Sequence, residues 1–201
     1  MARRRTYLLA VCAAVLALAS ACAGFRSGTM AAPYFVGTEP PSTQPGTIYE
    51  INQTRTLTRD GVALTITLGE DVRSSDVQVV LAVVPTSITL GDRARAAGDG
   101  DMTLTLDVQP GPRAVSILPG RVRITAKGQD LTPTGAALAG RTLRLSEPVS
   151  VAAQGFASVT LRFDLPRDTA PEEILLDLSD ALKRPIPLIR FKTLRWHYGY
   201  T

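Results

Sequence analysis

Gln154-Gly155-Phe156-Ala157-Ser158-Val159-Thr160-Leu161-Arg162-Phe163-Asp164-Leu165-Pro166 changes character at every step. Val159, Leu161, Phe163 and Leu165 are apolar, and Thr160, Arg162 and Asp164 between them are polar. Successive side chains of an extended chain leave on opposite sides, so this period of two describes a strand with one buried face and one wet face. The same cadence runs through Val62, Leu64, Ile66 and Leu68, then through Met102, Leu104, Leu106 and Val108, and again at Val122 and Ile124. One-sided strands belong to antiparallel sheets, because strands covered on both faces read as continuous apolar runs. Val77–Val84, apolar apart from Gln78, is such a run and is expected to be the central strand.

Turn chemistry separates the strands. Asp60-Gly61, Pro110-Gly111-Pro112, Pro119-Gly120, Lys127-Gly128 and Gln154-Gly155 all stand between alternating segments. Short strands punctuated this way, without long helical periodicity, predict an all-β sandwich or barrel. Gly91–Asp101 and Gly128–Gly140 read as long loops, the natural home of a binding site. Residues 171–183 admit two readings. Thr169-Ala170-Pro171-Glu172 with Ile174, Leu178 and Leu182 fits a capped helix, while Ile174–Leu178 fits a strand ending in a turn before Pro185. The strand is preferred, since it lies between two others. In the last segment Ile189 and Phe191 share one parity, whereas Leu194, Trp196 and Tyr198 share the other. A bulge near Lys192-Thr193 is expected to reconcile them.

The N-terminus follows a different logic. Arg3, Arg4 and Arg5 precede an apolar run from Tyr7 to Leu18, and Ala19-Ser20-Ala21 supplies the small residues of a signal cleavage site. Leu18-Ala19-Ser20-Ala21-Cys22 resembles the lipobox of bacterial lipoproteins, with Ala19 where that family usually has Leu. The resemblance implies cleavage after Ala21 and acylation of Cys22, hence a lipid anchor in a membrane. Ordinary signal cleavage would cut the same bond and leave a soluble protein, and an uncleaved apolar anchor is a third reading. Ala23 in place of Asp implies, by the enterobacterial sorting pattern, the periplasmic side of an outer membrane if the host is Gram-negative.

Three zones follow: residues 1–21 as signal peptide, 22–46 as acylated Cys and Pro/Gly-rich tether, and 47–201 as the folded domain. Gly24, Gly28, Pro33, Gly37, Pro40, Pro41, Pro45 and Gly46 mark the tether. As a flexible chain it would span roughly 25 Å. Tyr34-Phe35-Val36 is its apolar segment and a candidate for docking on the domain.

Composition narrows the chemistry. The chain of 201 residues has 22 Lys and Arg against 18 Asp and Glu, for a net charge of +4. Arg3, Arg4 and Arg5 leave with the signal, so 19 basic side chains face 18 acidic ones in the mature chain. Attraction to nucleic acid therefore has no electrostatic basis in the domain. Cys12 also leaves with the signal, and His197 is the only histidine. A zinc site or a Cys/His nucleophile would need more ligands than that, and no nucleophile elbow or phosphate-binding glycine loop exists. No cofactor is expected and no catalytic residue is assigned. Asp92, Asp99 and Asp101 read as a solvated loop, and Glu70, Asp71 and Asp76 carry the rival reading of a glycan-acting carboxylate pair.

Two candidate partner surfaces remain. Thr65, Thr67, Thr103, Thr105, Arg123, Arg144 and Arg162 face outward on strands, as a cationic binding face or as ordinary solubilising residues. Trp196, Tyr198 and Tyr200 form the second; Trp196 equally suits core closure, and Tyr200 suits a partner contact.

The cadence of Gln154–Pro166, continued by Ala170-Pro171 and Ile174-Leu175-Leu176-Asp177-Leu178, resembles a late strand of the immunoglobulin-like domains of many bacterial lipoproteins. That resemblance implies an immunoglobulin-like antiparallel β-sandwich with a role in binding or assembly. The expected protein is a non-catalytic envelope module with an unidentified protein partner; a soluble periplasmic chaperone or inhibitor is the further alternative.

Overall fold

The computed structural model describes residues 23–42, 45–69, 73–81, 84–88 and 101–200. Cys22, the signal segment, Glu70, Asp71 and the Gly91–Gly100 part of the first expected loop lie outside the described residues.

Two antiparallel sheets form the body. In chain order the strands are β1 (Ala23–Phe35), β2 (Thr56–Arg59), β3 (Val62–Leu68), β4 (Arg73–Leu81), β5 (Val84–Ile88), β6 (Asp101–Pro110), β7 (Val115–Ile117) and β8 (Arg123–Ala126). They continue as β9 (Gln129–Leu131), β10 (Gly135–Leu138), β11 (Arg141–Leu143), β12 (Val149–Val151), β13 (Ala157–Asp164), β14 (Ile174–Asp177) and β15 (Ile189–Tyr200). A seven-stranded sheet has the order β5-β4-β1-β15-β14-β8-β9, and a six-stranded sheet the order β11-β10-β13-β6-β3-β2. Strands β7 and β12 pair separately.

The fold is the all-β sandwich expected. Along β3 and β13 the apolar alternates Leu64, Ile66, Val159, Leu161 and Phe163 are fully buried, and they meet Ile124, Leu176, Ile189 and Phe191 of the opposing sheet in one core. Each such side chain contributes about 1.5–3 kcal/mol on burial, which is why the period of two survives as structure. Tight hairpins close the ladders at Asp60-Gly61, Lys127-Gly128 and Ala139-Gly140, where both central residues have positive φ. That conformation matches the right-handed twist of the flanking strands.

Several expectations are corrected. The expected tether is mostly sheet: Ala23–Phe35 form β1, paired with β15 along its length and with β4 over Ala23–Thr29. Pro33 is tolerated because it lies beyond the stretch where β4 pairs. Thr193 and His197 turn their N–H groups away from β1, so the odd-numbered residues of β15 form non-hydrogen-bonded pairs with β1. Pro33, opposite Phe191, therefore lacks its N–H on an edge that no strand among the described residues uses.

Val77–Val84 is not a single central strand. Val77–Leu81 belong to β4 and Val84 opens β5 at the sheet edge, while β15 takes the central place. The expected Gly128–Gly140 loop contains β9 and β10. Residues 171–183 carry both contested readings in succession: a 3₁₀ turn at Pro171–Glu173, strand β14, and a short helix α2 (Ser179–Leu182). Asp177 starts that helix by accepting from the Ser179 N–H at 2.9 Å and its hydroxyl at 2.6 Å.

No bulge interrupts the pairing of β15 with β1, whose register runs unbroken from Gly24 opposite Tyr200 to Phe35 opposite Ile189. The change of parity is a change of covered face. Ala31, Ile189 and Phe191 enter the main core, whereas Met30, Ala32, Leu194 and Trp196 form a second cluster with Ile51 on the other side of the sheet. Ile51 comes from helix α1 (Ile48–Thr54), which the period-two reading passed over. Thr47 caps it by accepting from the Glu50 N–H at 3.1 Å, and Glu50 accepts from the Gly46 N–H at 2.6 Å. A Ser/Thr-x-x-Glu capping box was present in the sequence and would have identified this helix.

Candidate functional site

The candidate residues separate into three places. Trp196 is 1% exposed and belongs to the second cluster, opposite Gly28 on β1. Its indole is core, so it is withdrawn from the partner surface. Tyr198 and Tyr200 follow on the same strand, opposite Arg26 and Gly24.

Arg162 and Arg144 come together on the six-stranded sheet. Arg162 pairs with Gly135 of β10, and Ala136, one step away, pairs with both Leu161 and Leu143. Arg144, the residue after Leu143, thus lies at the same end of β10, and both arginines are exposed. Gly135 carries no side chain, and a Cβ there would stand 3.9 Å from Arg162 Cδ, so the guanidinium arm lies over the glycine. Arg123 is elsewhere: it is on β8 of the other sheet, opposite Asp177. A single face uniting all three arginines does not exist.

The outer face of the six-stranded sheet is a field of short hydroxyls. Thr56 is opposite Thr65, Thr67 opposite Thr105, Thr105 opposite Thr160, and Thr103 opposite Arg162. Residues directly across an antiparallel pair share a face, so the registers set these side chains side by side. Thr56 and Thr65 hydroxyls are 2.7 Å apart, and those of Thr105 and Thr160 are 3.4 Å apart. Asp107 is the acid within this field, between Thr65 and Ser158, and its Oδ1 is buried with no hydrogen-bond partner.

A second polar feature was not anticipated. Strand β14 pairs with β15 only at Ile189 and Arg190, so the central strand has an open edge beyond that point. Glu172 Oε1 accepts from the Thr193 N–H at 2.7 Å, and the Pro45 carbonyl accepts from the His197 N–H at 3.3 Å. Burial pushes the Glu172 carboxyl up, but hydrogen bonds from the Thr193 side chain and from the Glu172 and Thr193 backbones outweigh it, and its pKa is lowered. The chain thereby blocks an edge that could otherwise recruit a foreign strand. His197 itself is exposed, and among the described residues no group of three or more His, Cys, Asp and Glu is placed to hold a metal ion. Among the same residues no helix is long and apolar enough to cross a membrane.

No family model matches the chain, and no curated protein matches it either. Among solved structures, the chain is similar to a β-sandwich protein from Clostridium difficile 630 described as uncharacterized. The alignment covers 82% of this chain and 98% of that one, with 11% identity and a TM-score of 0.33.

Proposed function

We propose that this protein is a bacterial envelope lipoprotein, cleaved after Ala21, acylated on Cys22, and acting as a non-catalytic binding or assembly module. The observation that carries the anchor is Leu18-Ala19-Ser20-Ala21-Cys22 behind a basic and then apolar leader. Cys22 is the single thiol left once Cys12 departs, and it stands at the cleavage site and nowhere else. The binding role is supported by a rigid sandwich whose outer six-stranded face presents hydroxyls with Arg144 and Arg162 at one end. A partner with anionic groups along one side would match that face. The periplasmic side of an outer membrane is the proposed location in a Gram-negative host.

Fractionation of cells expressing the natural chain and Cys22→Ser tests the anchor. The natural protein should partition with membranes and incorporate labelled palmitate. The variant should lose the label and appear in the soluble fraction. A Cys22→Ser protein that stays in the membrane with residues 1–21 attached overturns the reading in favour of an uncleaved anchor. In-cell crosslinking from Arg144 and Arg162 tests the module: a specific adduct lost on Arg162→Glu is expected, and its absence at every outer-face position removes the binding role.

A further inference from the structure

One position departs from the hydroxyls of the outer six-stranded face. Asp107 of β6 lies between Thr65 of β3 and Ser158 of β13, and it is only half-buried. The hydroxyls around it are turned to one another: Thr65 bonds to Thr56 at 2.7 Å, and Thr105 stands 3.4 Å from Thr160. Asp107 Oδ1 is left with no hydrogen-bond partner among the described residues. A carboxylate offers acceptors only, so its place on this face costs free energy until a donor arrives.

The next row of the same face, about 7 Å along the strands, holds Ala63 and Gln109, which are paired across β3 and β6. An exposed aromatic ring stands beside it. Phe163 and Phe191 are buried, whereas Phe156, directly before β13, is 66% exposed. The turn that carries Phe156 is tied to the end of β6, because the Gln154 N–H donates to the Pro110 carbonyl at 3.2 Å and to the Gly111 carbonyl at 2.9 Å. The Gly155 N–H donates to the Ala152 carbonyl at 2.9 Å, and a Cβ on Gly155 would lie 2.9 Å from that oxygen. Ala157 and Val108 are paired and buried, so the flanking positions Phe156 and Gln109 leave on the outer side. An exposed ring, a carboxamide and an unpartnered carboxylate thus share one patch.

We infer that this patch binds a neutral oligosaccharide. The inference rests on the binding-module reading above, extends it to the end of the face about 20 Å along β13 from Arg162, and does not depend on the anchor. A pyranose ring has apolar C–H faces and a rim of hydroxyls. Phe156 offers the C–H face an apolar platform, and Asp107 accepts charge-assisted hydrogen bonds from the rim. Gln109 supplies a donor and an acceptor beside them. The core of a protein interface would need more apolar surface than Phe156 alone provides, and a phosphate backbone would meet Asp107 as a like charge. Paired strands hold these groups at fixed spacing, which suits a ligand whose own groups are fixed.

Saturation-transfer NMR and calorimetry test this on the full chain as purified from its producing cells, in a zwitterionic detergent free of sugar. Cellotriose, maltotriose and chitotriose are the probes, and at least one should bind. Phe156→Ala should weaken that binding about three- to tenfold, and Phe156→Tyr should keep it. Asp107→Asn should weaken it about tenfold without a fall in melting temperature, which separates a lost contact from lost folding. Phe156→Ala carries the test by itself if Asp107→Asn proves unstable. Tyr49→Ala, which removes an exposed aromatic ring from α1 on the other sheet, should bind as the natural chain does. Equal losses in Phe156→Ala and Tyr49→Ala show unspecific adhesion to aromatic rings and overturn the inference. Binding of none of the three probes, with the Arg162 crosslink retained, overturns the saccharide and leaves the binding module standing. Absence of both removes the module as well.

Discussion

Trp196 stands directly across from Gly28 where β1 and β15 pair, on the side of the sheet opposite to Phe191. The largest buried side chain of the molecule is therefore not in the main core but in the smaller cluster beside it. Replacing it leaves a cavity that Met30, Ala32, Ile51 and Leu194 around it cannot refill, so Trp196→Ala should destabilise the fold by about 3–5 kcal/mol. Met30→Ala, which empties the same cluster from the facing strand, should cost about 2–5 kcal/mol. Since Trp196 is the chain's single tryptophan, its emission reads the cluster directly. The native spectrum should be that of an indole shielded from water, and denaturant midpoints should fall in both variants. A Trp196→Ala protein as stable as the natural chain would mean that the second cluster contributes nothing to folding.

That cluster also marks where sequence reading stops. Alternation along Val159–Leu165 needs only a local rule, and β13 came out as read. Alternation also holds along β15, but its meaning depends on which face is covered, and coverage is decided by α1, well over a hundred residues away in the chain. No local pattern distinguishes a bulge from a strand buried on opposite sides at its two ends. The expected tether failed for a related reason. Gly, Pro and Ser in residues 23–35 lower intrinsic strand preference, yet pairing with β15 and the burial of Ala31 and Ala32 override it. The arginines divide in the same way: Arg162 and Arg144 share a neighbourhood through β10, a strand hidden inside an expected loop.

Glu172 gives a pH signature. Its pKa is lower in the folded protein than the ordinary value of 4.5, so it stabilises the fold above that value. The contribution disappears as pH falls through the folded pKa, because the protonated acid no longer accepts from the Thr193 N–H as a charged group. Glu172→Gln should therefore be less stable than the natural chain at neutral pH. As pH falls below 4.5 and through the lowered folded pKa, the two should converge. Parallel thermal melts from neutral pH down to pH 3 measure this, and a constant gap across that range would remove Glu172 from the acid response. Strand-edge protection adds a second readout, since amide exchange at Thr193 should quicken in the variant.

Gly111 is fixed by a close backbone approach. Its N–H donates to the Gly61 carbonyl at 2.6 Å, and a Cβ at this position would lie 2.7 Å from that same oxygen. Backbone cannot swing aside as a long side chain can. Gly111→Ala should force the β2–β3 hairpin away from the end of β6 and destabilise by about 1–3 kcal/mol. Gly37→Ala is the contrasting case, because a Cβ there meets nothing within 4 Å and only the positive φ of 91° opposes it. Its cost should be smaller, and urea midpoints of the two variants decide the order. Equal midpoints would mean that the approach of Gly111 to Gly61 is not a constraint on the fold.

Asp107 is the opposite kind of position, one where stability should rise. Its carboxylate sits between Thr65 and Ser158 on the outer face, with Oδ1 buried and no donor directed at it. A partly desolvated charge without a hydrogen bond costs free energy, and Asp is itself poorly suited to a strand interior. Asp107→Thr removes both penalties and continues the row of hydroxyls that Thr65 and Thr105 already form. A gain of about 1 kcal/mol is expected, or a rise in melting temperature of about 2–4 °C for a domain of this size. Asp107→Asn should gain less, since it drops the charge but keeps a polar group with the same poor strand preference. If both variants instead lose stability, the carboxylate is held by interactions that its charge strengthens. If the expected gain is found, the face sacrifices stability to keep an acid among threonines for what it binds, and crosslinking from Arg162 should fail in Asp107→Thr even though the protein remains folded.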